Sequence, residues 1–261
     1  MKSLRERASE VIRKKGYRGF VEQFFRFIIW KWQIALKRLY WKIVIDRSYT
    51  ISTLRRLEIR NLDHLVDFAF TWNHRIIEPV QVRYEILELL KTLDKMNPKA
   101  LLEIGTANGG TLFLFSRVAS SDAIIISVDK PTGFFGMGYD KWRTSLYRSF
   151  TSKGQQLHLV QKDSHNISTL EEVKVILRGR KIDFLFLDAD HTYEGVRRDF
   201  EMYSPLVDKN GIIAFHDILV NPQEPNIETH RFWNETKNNY AHIEIIENRN
   251  QGLMGIGFIK I

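Results

Sequence analysis

Residues 101–111 read LLEIGTANGGT, an acid and a cluster of glycines at the end of a short apolar run. Ala100 to Ile104 is apolar except for Glu103, Gly105, Gly109 and Gly110 follow, and Leu112 to Val118 (LFLFSRV) then reads as a helix lying on a sheet. Strand, glycine turn and helix is a layout that turns backbone N–H groups and a helix N-terminus toward a ligand. A dinucleotide site would want G-x-G-x-x-G, and Ala107 stands where its second glycine belongs, so a pyrophosphate would meet a shielded backbone. Glu103 adds a negative charge on the ligand side. That suits a cationic ligand better than a phosphate.

A second acid follows one strand later. Ala123 to Val128 (AIIISV) is a continuous apolar run of the kind buried in parallel sheets, and it ends at Asp129, 24 residues beyond Gly105. In doubly wound folds a carboxylate ~20 residues past the glycines meets ribose hydroxyls. Both hydroxyls of a ribose can donate to one carboxylate, so this position selects nucleosides. The alternative is an acid that only ends a strand before the Lys130-Pro131-Thr132-Gly133 turn.

The chain has 261 residues, 44 % of them hydrophobic, enough for one large domain with an extension. It has no cysteine, which excludes disulfides, thiolate metal sites and cysteine nucleophiles. A metal here would be held by carboxylate, imidazole or amide, a set favouring magnesium, calcium or manganese. The first 26 residues hold no signal-peptide core and no segment approaches the ~18 apolar residues of a spanning helix, so a cytoplasmic protein is expected. The net charge of +8 is unevenly spread. Residues 1–60 carry 16 Lys and Arg against 5 Asp and Glu, while the other 201 carry 23 against 26. The basic character belongs to the N-terminal segment.

That segment, residues 1–60, reads as a helical extension to a domain over 61–261. Between Arg18 and Asp46 it is dense in aromatics: Phe20, Phe24, Phe25, Phe27, Trp30, Trp32, Tyr40 and Trp41. Val21, Phe25, Ile28, Trp32, Ala35, Leu39 and Ile43 recur at helical spacing, interleaved with Arg26, Lys31, Lys37, Arg38 and Lys42. A helix of this kind can lie in the plane of an anionic membrane at the inner face. Equally, it can pack on its own domain or on a second subunit in a homo-oligomer. None of the usual nucleic-acid reading modules is recognisable.

From Val80 onward helix and strand alternate. Helical spacing runs through Val82, Ile86, Leu89, Leu90 and Leu93, and Pro98 stops it. Strands are predicted at 100–104, 124–128, 157–160, 182–187, 211–215, 241–246 and 253–260, with helices near 110–119, 139–150, 168–178, 193–204 and 226–238. Such alternation means a parallel sheet covered on both faces. The last two strands are joined by Asn248-Arg249-Asn250-Gln251-Gly252, short enough only for an antiparallel hairpin.

Three further clusters sit where strands end. Asp163 and Ser164 follow the third strand, on the rim that also carries Gly105 and Asp129; the competing reading is turn and cap chemistry before the next helix. Asp188, Asp190 and His191 emerge from Phe184–Leu187, and His216 and Asp217 from Ile212–Phe215. Carboxylates and imidazoles crowded together repel unless a cation or proton sits among them. They can hold a hard divalent ion, or supply a base that takes a hydroxyl proton.

The stretches LLEIGTANGGT, LDADHTYEGVRRDFEMYSPLV, FHD and HRFWNE (230–235) resemble the class I methyltransferases of family 24 over about residues 78–261. Relatives in that family include metal-dependent macrolide-sugar O-methyltransferases and cephalosporin-hydroxylase-like proteins, with catechol O-methyltransferase more distant. The resemblance implies an α/β, Rossmann-like seven-stranded sheet, doubly wound, with an antiparallel last strand and S-adenosylmethionine as cofactor. It places cofactor binding on Glu103, Gly105, Thr106, Asn108, Gly109, Gly110, Asp129, Asp163 and Ser164. Catalysis falls on His191 and Asp188, and a magnesium site on Asp188, His216 and Asp217. His216 departs from the glutamate of the macrolide-sugar enzymes, and Asn210-Gly211 from two glycines. The implied reaction is O-methylation of a sugar, glycan intermediate or small polyol. Two other functions compete: a membrane-surface binding protein on an inactive scaffold, and a nicotinamide oxidoreductase, which Ala107 and Glu103 disfavour.

Overall fold

A computed structural model describes residues 4–131 and 142–261, with side chains from residue 16 except at positions 20, 23, 26, 27, 30, 31, 34 and 38. Thr132 and Gly133 of the expected turn, the start of the helix expected at 139–150, and the side chains of Phe20, Arg26, Phe27, Trp30, Lys31 and Arg38 lie outside that set. The chain divides into two compact units, Met1–Ile45 and Asp46–Ile261.

The first unit is α1 (Leu4–Val44), interrupted at Gly16, whose φ of 70° and ψ of 174° are not helical. Among the described residues, no helix is long and apolar enough to cross a membrane.

The second unit opens with α2 (Arg47–Arg56), α3 (Leu62–Thr71) and α4 (Arg83–Met96). Side chains fix the starts of the first two: Asp46 accepts the Tyr49 N–H and Asn61 the His64 N–H, satisfying amides that lack a helical partner. Seven strands follow, β1 (Ala100–Ile104), β2 (Ile124–Val128), β3 (Gln156–Val160), β4 (Ile182–Leu187), β5 (Val207–His216), β6 (Ala241–Ile245) and β7 (Ile256–Lys260). Between them lie α5 (Gly110–Val118), α6 (Arg143–Tyr147), α7 (Ile167–Leu177), α8 (Tyr193–Tyr203) and α9 (Thr229–Thr236). The sheet order is β3-β2-β1-β4-β5-β7-β6. β7 runs antiparallel to both β5 and β6, and the remaining pairs are parallel.

Both faces of the sheet are covered, which explains why β1 and β2 are apolar but for Glu103 and Ser127: all ten of their residues are buried. Along β4 the pleat sends alternate side chains to opposite layers. Phe184 and Phe186 meet the edge of Phe115 on α5, with ring centroids 5.1 and 5.3 Å away. Leu185 and Leu187 join a second cluster with Val196, Tyr203, Phe232 and Trp233. Each such fully buried side chain contributes about 1.5–3 kcal/mol of burial energy.

β7 begins at Ile256, three residues later than the apolar pattern suggests. The cause is Glu85, buried on α4, whose carboxylate accepts the N–H groups of Glu247 and Gly255 and the Gln251 amide. Those bonds hold residues 253–255 out of the ladder, with Met254 and Gly255 at positive φ. Strand order reverses between β1 and β4, since β1 lies between β2 and β4. In open α/β sheets the ligand crevice forms there, at the carboxyl ends of the strands.

Candidate active site

The carboxyl ends of β1 and β4 touch. Gly105 has φ +96°, and a Cβ on it would lie 2.1 Å from the carbonyl oxygen of Asp188. Only glycine lets the loop after β1 turn this close to the residue that ends β4. Gly109, with φ 83°, is the N-cap of α5, and Gly110 is its first residue. A Cβ on Gly110 would strike the backbone of Ile77 and Pro79, so this glycine serves close packing.

Glu103 lies beneath this loop, fully buried. Its carboxyl accepts from the hydroxyls of Thr106, at 2.8 Å, and Thr111. Burial pushes its pKa up to about 8, opposed by those two hydroxyl bonds and reinforced by the charges of Asp188 and Asp129. It ties strand end to loop and helix. In the folded state it keeps its proton to about pH 8 while the unfolded chain loses it near ~4.3, so stability falls as pH rises through that window. Glu103→Gln in the cofactor-free protein should therefore melt above wild type at pH 8, the two converging near pH 4. Thermal scans at both values check this.

Asp129 ends β2 beside the same loop. One carboxylate oxygen accepts the N–H groups of Thr106 and Ala107, each at 3.1 Å, and the other accepts that of Lys130 at 2.7 Å. Burial raises its pKa to about 6, against the pull of those three amides. The oxygen facing Lys130 keeps lone-pair capacity for another donor. Asn108 contributes its carbonyl, which accepts from buried Arg143 at 2.9 Å, fixing the loop from behind.

Asp163 lies 3.0 Å from the Lys130 ammonium and accepts the His165 N–H at 3.0 Å. Burial would raise its carboxyl; the His165 amide and Lys130 outweigh it and hold the pKa low. Ser164 is buried, with its carbonyl accepting the Tyr203 hydroxyl at 2.8 Å. Lys130 therefore links the ends of β2 and β3.

The ends of β4 and β5 bring two acids and two imidazoles into one cluster. Nδ1 of His191 lies 3.0 Å from Asp217. Nδ1 of His216 lies 3.1 Å from Asp188 and 3.6 Å from Asp217. Burial opposes a proton on either imidazole, yet the two carboxylates prevail and both pKa values rise, that of His216 by far the more. Asp217 is held far below the usual carboxylate range: burial works against this, and the charge of His216 with the bond from His191 overcomes it. The cluster is thus neutralised from within.

Asp190, which sequence grouped with these acids, plays another part. Its carboxylate accepts the Thr192 N–H and hydroxyl, and Thr192 in turn caps α8 through the Gly195 N–H. Gln81 is the residue that sequence reasoning missed. It is buried, donates to Asp188 at 2.8 Å, and its Oε1 has no hydrogen-bond partner. His216 Nε2 is likewise buried and unpartnered. Gln81 comes from the segment before α4, about a hundred residues upstream, and no local pattern marks it. Each of the two side chains bonds the carboxylate of Asp188 through its other polar atom, Gln81 through Nε2 and His216 through Nδ1.

Asp188, His191 and Asp217 each bring one ligand atom within 4.8 Å of the others. Two carboxylate oxygens and one imidazole nitrogen fit a divalent cation. His216, which the resemblance also places among the ligands, is not one of that trio and lies 3.1 Å from Asp188.

Residues 102–218 match a family of methyltransferase domains, family 24. A protein of Acanthamoeba polyphaga mimivirus, R132, described as uncharacterized, is 28 % identical over 136 residues. That match spans 52 % of this chain and 59 % of the relative, less than two thirds of its length. Among solved structures, an O-methyltransferase from Bacillus cereus, described in complex with S-adenosylhomocysteine, aligns with TM-score 0.52 at 14 % identity. The alignment covers 87 % of this chain and 97 % of that one. A putative caffeoyl-CoA O-methyltransferase from Staphylococcus aureus aligns with TM-score 0.52 at 19 % identity, over 82 % and 98 %.

The sheet order, the antiparallel β7 and the crevice at the β1–β4 switch define the class I fold of S-adenosylmethionine-dependent methyltransferases. Within it, residues 102–218 carry the match to the methyltransferase domains of family 24.

Proposed function

We propose that this enzyme methylates a hydroxyl oxygen, with His191 as the base that takes its proton. The observation that carries the reading is the hydrogen bond from His191 Nδ1 to Asp217, 3.0 Å long, beside the glycine crevice. Asp217 orients the ring and raises its basicity, so Nε2 is the atom assigned to the acceptor proton. Asp188, held by Gln81 and His216, orients the acceptor by hydrogen bonding. S-adenosylmethionine, when bound, supplies a methyl group on a sulfonium, which leaves as a neutral thioether. The protein's share is to hold the oxygen in line with that methyl group and accept the proton. The acceptor class we favour, a sugar or related polyol, rests on the family resemblance.

We assign Asp129 to the ribose hydroxyls, with Gly105, Thr106, Asn108 and Gly109 shaping the loop around the nucleoside and Asp163 and Ser164 on the adenine side. Asp129→Ala should weaken S-adenosylhomocysteine by the ~1.5–3 kcal/mol of a charge-assisted hydrogen bond, roughly 10- to 150-fold. Calorimetry tests both the reading and the residue. No binding of S-adenosylhomocysteine to wild type would overturn the first, and an unchanged dissociation constant in the variant the second.

One observation favours a second reading of the same cluster, the convergence of Asp188, His191 and Asp217. In it these three would hold a divalent cation, magnesium or manganese, whose chemistry there would be polarisation of the acceptor oxygen, and His216 would steady Asp188. The readings differ over His191, base in one and ligand in the other. Titrating manganese into the chelator-treated protein separates them. Saturable binding that Asp217→Asn abolishes supports the metal, and no binding leaves the imidazole–carboxylate pair alone.

A further inference from the structure

Among the described residues, α1 carries an exposed apolar face. After the break at Gly16 the helix runs to Val44, and Phe25, Ile29, Trp32, Leu36, Leu39 and Ile43 recur along it at intervals of four and three residues. That spacing puts all six on one side. Each is between 54 and 74 % exposed. Scattered surface leucines are ordinary in proteins, whereas a continuous apolar stripe more than three turns long marks an interaction surface.

Two occupants can cover such a stripe, a second copy of the helix or a lipid surface. Width and charge decide between them. A two-helix seam needs a narrow stripe, and here exposed Phe24 and Tyr40 extend it on either side. Residues 17–45 contain six Lys and Arg against one acid, Glu22. A second copy would bring the same surplus and a single acid, Glu22, so flanking charges would repel. Lys37 and Lys42 are exposed beside the apolar face, an arrangement that anionic headgroups match. Trp32 and Tyr40 are the side chains that settle at the water–lipid boundary. Among the described residues no helix is long and apolar enough to cross a bilayer. It can lie in the plane of one.

We propose that residues 17–45 bind an anionic lipid surface, with α1 parallel to the membrane and this stripe buried among the headgroups. The test is co-sedimentation of the full chain with vesicles of phosphatidylcholine alone or of equal parts phosphatidylcholine and phosphatidylglycerol. Binding to the anionic vesicles only, released by high salt, is expected. Trp32→Glu with Leu36→Glu should abolish it. Lys37→Glu with Lys42→Glu should weaken it by at least about tenfold, since each basic residue near such a surface contributes several-fold in affinity. Thermal unfolding checks that each variant folds. Should the double glutamate variant fail that check, the lysine pair and the salt dependence still decide. Equal binding to both vesicle types, or binding to neither, would overturn the proposal. So would a lipid-free dimer that the double glutamate variant converts to monomer, which would assign the stripe to a second copy.

Discussion

Gly105→Val is expected to abolish measurable S-adenosylhomocysteine binding and to lower the melting temperature by about 10 °C. Two independent costs combine. At φ +96° a β-branched residue is strained by at least ~1–3 kcal/mol, and its Cβ would sit 2.1 Å from the carbonyl oxygen of Asp188. No rotamer relieves a clash between backbone and Cβ, so the ends of β1 and β4 must separate. Together the costs approach the ~4–5 kcal/mol of severe point mutations, and ~1 kcal/mol moves the melting point by roughly 2–4 °C at this size. Gly105→Ala should show the same defects in reduced form. Calorimetry and thermal scans report both variants, and wild-type binding in Gly105→Val would show that the crevice between β1 and β4 is not the cofactor site.

His191→Ala should reduce methyl transfer by roughly 10²- to 10⁴-fold, the usual worth of a positioned general base, with little change in cofactor affinity. The pH profile carries the finer test. His191 is competent only when neutral, and its pKa lies above the ordinary value because Asp217 stabilises the protonated ring. The rate should therefore rise with pH through that elevated pKa. Asp217→Asn removes the negative charge, so the rising limb moves to lower pH while the plateau drops. A limb that stays in place in Asp217→Asn would detach Asp217 from the base. Full activity in His191→Ala would leave proton removal to solvent.

How far the sequence reached depended on the range of the forces involved. The apolar runs of β1, β2 and β4 and the acids at their ends are local patterns, and each strand appears within a residue of its expected bounds. The antiparallel pairing of β7 with β6 followed from chain length, because so short a connection cannot carry a crossover. Edges were less legible. β5 starts at Val207, before its apolar run, because its early residues are held by pairing to β4 across a register shift. Glu85 looked like one more solvated helix residue and is a buried anchor of the β6–β7 loop.

Sequence by itself determined the strands and their mostly parallel sheet, the glycine loop and the set of titratable residues at the strand ends. All of these follow from period, length and residue type within one stretch of chain. Tertiary structure alone decided how those residues pair. It bonded His191 to Asp217 and His216 to Asp188, turned Asp190 away to brace α8, brought in Gln81 from outside the motifs, and sank Glu103 beneath the loop. The reason is physical. Which strand ends a carboxylate meets is set by sheet order, and whether it keeps its proton is set by burial and by neighbours drawn from other strands.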